Sequence, residues 1–201
     1  MNKTVSLDEI PYSPDSCELF ESLRDLPGAA FLDSSYPHSG AGRYDIICAQ
    51  PAPVPAAPAL NAGELAWRTH FDELSCFHRE YYGPVQPASQ DIPFCGGLLG
   101  VIGYDSGNAL NQVGDVPTPG ANSGSQLGAY SWALVQDHLL QRAVLAAQPS
   151  VSAAQRNDLL KRLRSHHRSP PDDFQLQESF SSNFSDQSYR TAFEQIQAYI
   201  H

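Results

Sequence analysis

Two short runs bring a hydroxyl and a guanidinium close together along the chain. Leu32-Asp33-Ser34-Ser35 closes one apolar segment, and Gly42-Arg43-Tyr44-Asp45-Ile46-Ile47 opens the next. If both segments are strands, Ser34 ends one and Arg43 begins its neighbour, so the two side chains can converge at the mouth of a sheet. A guanidinium grips a carboxylate through two parallel hydrogen bonds and a hydroxyl can accept from an ammonium, a pairing suited to an amino acid. The same residues have a plainer reading, a turn serine and a surface arginine paired with Asp33 or Asp45, which contributes little.

The other chemistry-bearing types are less specific. Phe94-Cys95-Gly96-Gly97-Leu98-Leu99-Gly100-Val101-Ile102-Gly103-Tyr104-Asp105 is glycine-punctuated, but its spacing is not that of a dinucleotide loop and no Lys-Ser or Lys-Thr follows to meet phosphate. It reads as a buried strand whose missing side chains let another backbone approach. His70 and His78 share one side of a helical pattern with no carboxylate motif to complete a metal site, so ordinary packing is expected. Cys17, Cys48, Cys76 and Cys95 lie far apart without metal-ligand spacing and read as reduced thiols. Lys161, Arg162 and Arg164 read as the solvated end of a helix in preference to a phosphate site.

The elements that must hold these residues follow from periodicity. Pro11 to Asp25 is helix-compatible, with Leu19, Phe20 and Leu23 on one side, and Pro27-Gly28 stops it. Ala29 to Leu32 and Tyr44 to Ala49 read as strands, and the prolines at 51, 53, 55 and 58 as a stiff connector. Trp67, Phe71, Leu74, His78 and Tyr81 mark one stripe of a helix from Glu64 to Tyr82. A loop is expected up to Gly128. Tyr130 to Gln136 and Leu139 to Ala147 then alternate around Asp137-His138 as a hairpin. Ser152 and Gln155 have capping-box spacing before a surface helix. Tyr189, Phe193, Ile196 and Ile200 mark a last helix over 188–201; with no cap after it, the pattern predicts that the chain stops inside an element whose partner surface lies further on. The sum is a single α+β domain over 1–201, antiparallel sheets packed with about four helices.

Composition narrows the function classes. With 12 Lys plus Arg against 22 Asp plus Glu, the net charge of −10 offers no positive field, so nucleic acid is not an expected partner. Neither a leader peptide nor a long apolar run is visible, so a membrane is not expected either, and a cytoplasmic location follows.

Taken in order, Leu-Asp-Ser-Ser, Gly-Arg-Tyr-Asp-Ile, Phe-x-Gly-Gly-x-x-Gly-x-x-Gly-Tyr-Asp and Tyr130-Ser-Trp-Ala-Leu-Val-Gln-Asp-His138 resemble the amino-terminal region of component I of the anthranilate and aminodeoxychorismate synthases. The resemblance spans nearly the whole chain. Ser182-Asn183-Phe184-Ser185 onward resembles the segment that leads into that family's catalytic domain, whose continuation the sequence lacks. Asp-Ile after Gly-Arg-Tyr, together with Ile10-Pro11-Tyr12, is closer to the aminodeoxychorismate branch; the anthranilate branch is the alternative.

The resemblance implies a parent enzyme that replaces the chorismate 4-hydroxyl by an amino group, en route to p-aminobenzoate and folate. It implies Mg2+ as cofactor and ammonia from a glutamine amidotransferase subunit as partner. The family's magnesium ligands, acid/base groups and reactive lysine belong to its carboxy-terminal domain, so no catalytic residue and no metal ligand are expected here, and this chain alone is expected to be inactive. What matches by position is the family's tryptophan pocket: Ser34, Ala41, Gly42, Arg43 and Tyr44, with small residues at 41 and 42 where relatives often carry larger ones. A stand-alone regulatory module for an aromatic amino acid, or a degenerate domain that only packs on partners, are the competing readings.

Overall fold

A computed structural model describes residues 4–84, 91–111, 125–165 and 175–200, which fall into two units, Met1–Arg168 and Ser169–His201. The Gly/Asn/Pro/Ser-rich stretch at 112–124 and the start of the polar stretch after Ser169 lie outside the described residues.

The first unit is organised by a hairpin that is apolar on both sides. Strands β6 (Trp132–Asp137) and β7 (Arg142–Ala147) are buried almost throughout, and a strand buried on both faces must sit inside a sheet. They do: the order is β1-β7-β6-β3-β2, all antiparallel, with β1 (Ser6–Ile10), β2 (Ala30–Leu32) and β3 (Tyr44–Cys48). Register sets the faces. Asp45 lies opposite Gln136, and Tyr44 opposite Asp137, so strand alternation sends Asp45, Ile47, Leu134 and Gln136 to one side and Tyr44, Ile46, Val135 and Asp137 to the other.

On the first face, helices α1 (Ser16–Glu21) and α4 (Ala153–Arg164) bring Leu19, Leu159, Leu160 and Leu163 onto Ile47, Trp132, Leu134 and Leu145. Helix α1 is shorter than the pattern from Pro11 predicts, because the Ser22 hydroxyl bonds back to the Leu19 carbonyl at 2.7 Å and the chain turns there. At the start of α4 the Ser152 hydroxyl accepts from the Gln155 amide at 3.1 Å, while the Gln155 side chain turns to Gln50 and leaves the capping box half made. On the second face Cys48, Tyr130, Ala133 and Val135 meet Ile92, Phe94 and Leu99.

A two-stranded sheet, β4 (Gly97–Val101) with β5 (Gln126–Tyr130), stands beside this core, and α2 (Gly63–Tyr82) packs near β4 and the short α3 (Ser106–Leu110). The glycine-rich run is a strand, and a Cβ on Gly100 would collide with the Gln126 carbonyl of β5. It is not buried along its length, however: Val101 is 66% and Tyr104 95% exposed, because β4 is an edge strand. The second unit carries α5 (Asp186–Ile200), which has no buried residue within it. The architecture is α+β, with five α-helices among the described residues. None of them is long and apolar enough to cross a membrane.

Candidate functional site

The loop between β2 and β3 holds the residues with most chemical potential, and the sheet positions them. Ser34 follows β2 and uses both its backbone N–H and its hydroxyl to donate to Asp45 Oδ1, at 2.8 Å each. Gly42 lies directly under that serine: a Cβ there would come within 2.6 Å of the Ser34 carbonyl, so the position has no room for a side chain. Ala41 is exposed on the same turn.

Arg43 turns the other way. Its guanidinium donates to Asp137 through Nε and Nη2, the latter at 2.8 Å, and lies 4.5 Å from the centre of the Tyr44 ring. Asp137 also accepts from the Leu139 and Leu140 amides at 3.0 and 3.1 Å, closing the turn between β6 and β7. That turn delays β7 to Arg142 and leaves Leu139 and Leu140 exposed, where the sequence pattern begins the strand at Leu139. Burial pushes the Asp137 carboxyl up, but Arg43 and the two amides outweigh it and hold the group below the usual carboxylate range. The ion pair is only half covered, with the arginine side chain 39% exposed.

Ser34 and Arg43 are thus neighbours in the loop whose polar atoms are engaged on opposite faces of the sheet. Each is satisfied by a carboxylate of the chain itself, not by the other. Tyr44 reaches the second face, where it lines a small cavity with Asp137, Arg142 and Val144.

Behind Ser34 lies a buried polar chain that periodicity alone does not reveal. His138, at the end of β6, is 1% exposed and places Nε2 2.9 Å from Asp45 Oδ2, which is 4% exposed. This contact is close but poorly aligned for a hydrogen bond, since Nε2 has no partner of good angle. On the other side of the ring, Tyr12 pairs its hydroxyl with Nδ1 at 2.9 Å, and Tyr36 stacks flat on the imidazole at 4.4 Å. A histidine carrying its proton on Nε2 satisfies both neighbours, receiving from the phenol and facing the carboxylate. Burial raises the Tyr12 phenol, helped by Tyr36 and Asp45, which keeps it a donor. Burial also pushes Asp45 up, but hydrogen bonds from Ser16 and Ser34, with the close approach of His138, more than offset this and hold it below the usual range.

Gln136 completes the cluster, accepting from the Ser13 amide at 3.1 Å and donating to the Ser16 hydroxyl in a short contact. Tyr12, Asp45 and His138 come from three distant segments and meet only because β3 and β6 are paired. Each lies within a run quoted above, so the signal was the run; the assembly is tertiary. Asp45 and His138 are closed to solvent, while Tyr12 is only partly buried and Tyr36 is 40% exposed, so the buried half of the cluster is suited to holding the loop.

Among the described residues no three His, Cys, Asp or Glu side chains gather as a metal site. All four cysteines are unpaired, and burial pushes the Cys48 thiol up to about 12.

The geometry can be set beside known proteins. The profile of the chorismate binding enzyme family matches residues 38–201, which include Ala41 to Tyr44 but not Ser34. Aminodeoxychorismate synthase component 1 of Klebsiella aerogenes is 29% identical over 204 residues, covering 96% of this chain and 43% of that protein. The protein of the same name from Escherichia coli strain K12 is 29% identical, covering 90% of this chain and 41% of that protein. That from Salmonella typhimurium is 30% identical and covers 100% of this chain and 45% of that protein. The chain therefore spans less than half the length of the curated relatives it matches.

Proposed function

The chain belongs to the chorismate binding enzyme family, and from that premise we propose that it is the amino-terminal, non-catalytic portion of an aminodeoxychorismate synthase component I. In this reading the parent enzyme aminates chorismate in the cytoplasm, with ammonia from a glutamine amidotransferase subunit and a magnesium ion held outside these residues. The observation that carries it is the match to three component 1 proteins over 90% or more of this chain. The buried His138–Asp45 contact supports a scaffolding role, because acid/base groups that work on a substrate must reach it. The test is an assay of chorismate consumption with ammonia and magnesium. The 201-residue chain is expected to give no turnover, and aminodeoxychorismate formed by this chain alone would overturn the reading.

A second reading concerns the loop itself. The partly exposed guanidinium of Arg43, lying on the Tyr44 ring, favours binding of an amino-acid carboxylate, with tryptophan as the ligand and the loop residues Ser34, Ala41, Gly42 and Tyr44 as the rest of the pocket; Ser34, held by Asp45 on the other face, must leave that carboxylate to take part. That carboxylate must compete with Asp137, and bidentate contacts of equal geometry make the exchange feasible. Calorimetric titration with tryptophan decides it. Binding is expected to be lost in Arg43→Ala, with stability changed by less than about 1 kcal/mol, as for other half-exposed ion pairs. Unchanged affinity in that variant removes Arg43 from the site.

A further inference from the structure

Helix α2 carries a histidine that nothing in its surroundings answers. His70 is 2% exposed, and neither ring nitrogen has a hydrogen-bond partner among the described residues. A neutral imidazole presents one donor and one acceptor, so both are unmet. The ring borders two adjoining cavities that share Ala56. One, of about 500 Å³, is wide and open, with Pro58, Leu65, Ala66 and Glu73 on its walls. The other, of about 280 Å³, lies between the proline-rich connector and the start of β5.

The smaller cavity has a second orphan: the buried Ser125 hydroxyl, also on its wall, has no partner among the described residues. The third feature is backbone. Ala129 exchanges both of its hydrogen bonds with Ala52, at 2.8 and 3.0 Å, as an isolated bridge. Strand alternation then turns the N–H and C=O of Leu127 to the same edge. There the connector passes along the cavity wall without continuing the ladder. An imidazole, a hydroxyl and a strand edge that no described residue pairs thus line one space. No lysine or arginine lines either cavity among the described residues, and Glu73 opposes an anion.

We propose that this cavity is a binding site for a small uncharged aromatic carboxamide, a site independent of the chorismate reading. A carboxamide carries a donor and an acceptor side by side, as a neighbouring strand would, and so matches the Leu127 edge while His70 and Ser125 take the remaining bonds. The attached ring lies on the shelf of Pro58, Leu65 and Ala66. A carboxylate of the same shape offers only acceptors, with no cation to meet them.

The test is titration of the 201-residue chain with benzamide and, in parallel, the isosteric benzoate, read by NMR at the Leu127 amide and the His70 ring nitrogens. Benzamide is expected to give saturable shifts at both, at an affinity at least about tenfold above benzoate, since a site built to be hydrogen-bonded discriminates strongly against a mismatched partner. Ser125→Ala and His70→Phe, the second keeping the ring volume, are each expected to weaken benzamide by about fivefold or more, the loss of one hydrogen bond. Equal affinity for the two probes, shifts that never saturate as in a merely hydrated cavity, or unaltered benzamide binding in the correctly folded Ser125→Ala protein would each overturn the assignment.

Discussion

At the scale of single residues, Asp45 is the group on which the sheet's polar cluster turns. Its carboxylate is held below the usual range, with burial opposing and the hydrogen bonds from Ser16 and Ser34, together with the nearby His138, prevailing. A folded-state pKa below the unfolded one means that the stabilisation is fully present above the unfolded value, about 3.9, and is lost as the pH falls through the lower folded value. Asp45→Asn keeps the shape and removes the charge. We expect it to cost about 2 to 3 kcal/mol in urea unfolding at pH 7, the range for a buried ionised group that loses its hydrogen-bond donors. The difference from the parent chain should shrink below about pH 4, where the parent gives up the same contribution. A gap that stays constant down to pH 2 would mean that the charge is not what stabilises the cluster. Tyr12→Phe removes only the hydroxyl bonded to His138 and should cost about 1 kcal/mol by the same measurement.

At the scale of elements, legibility depended on whether an element's signal is local. Helix α2 repeats its apolar stripe over five turns, and it begins and ends within a residue of its pattern. Helix α4 declares its start through Ser152, and Ser152→Ala should lower stability by about 1 kcal/mol in thermal unfolding, the usual loss for an N-cap. Strands β1 and β5 were not legible. Ser6–Ile10 is half polar and becomes a strand only through its pairing with β7, more than 130 residues away. Gln126–Tyr130 has a glycine at its centre and reads as the end of a loop until β4 lies beside it. The candidate site shows the same limit: the serine and arginine were visible, whereas the carboxylates that engage them depended on which face each strand residue takes. Gly100 makes the β4–β5 contact testable. Gly100→Ala should raise hydrogen exchange at Leu99 and Gly128 while leaving Leu134 and Leu145 protected, since the added Cβ meets only the β5 backbone. Loss of protection in β6 and β7 as well would show that the two sheets unfold as one.

At the scale of the whole molecule, the hydrophobic core and the last helix are separate matters. Among the described residues every buried core side chain lies between Val5 and Leu163, in the unit Met1–Arg168. In the other unit Tyr189, Phe193, Ile196 and Ile200 are between 53% and 72% exposed, so the apolar stripe of α5 buries little within its own unit. A fifteen-residue helix without packing is marginal in water, because nucleation costs more than a few turns return. A chain ending at Arg168 should therefore keep its cooperative transition, with a melting temperature within about 3 °C of the longer chain, the shift expected for less than about 1 kcal/mol in a domain of this size. A peptide of residues 169–201 should show little helix by circular dichroism in buffer. If the shorter chain instead melts much earlier, residues 169–201 contribute to the stability of the longer chain, and a marginal α5 is the wrong description of that helix.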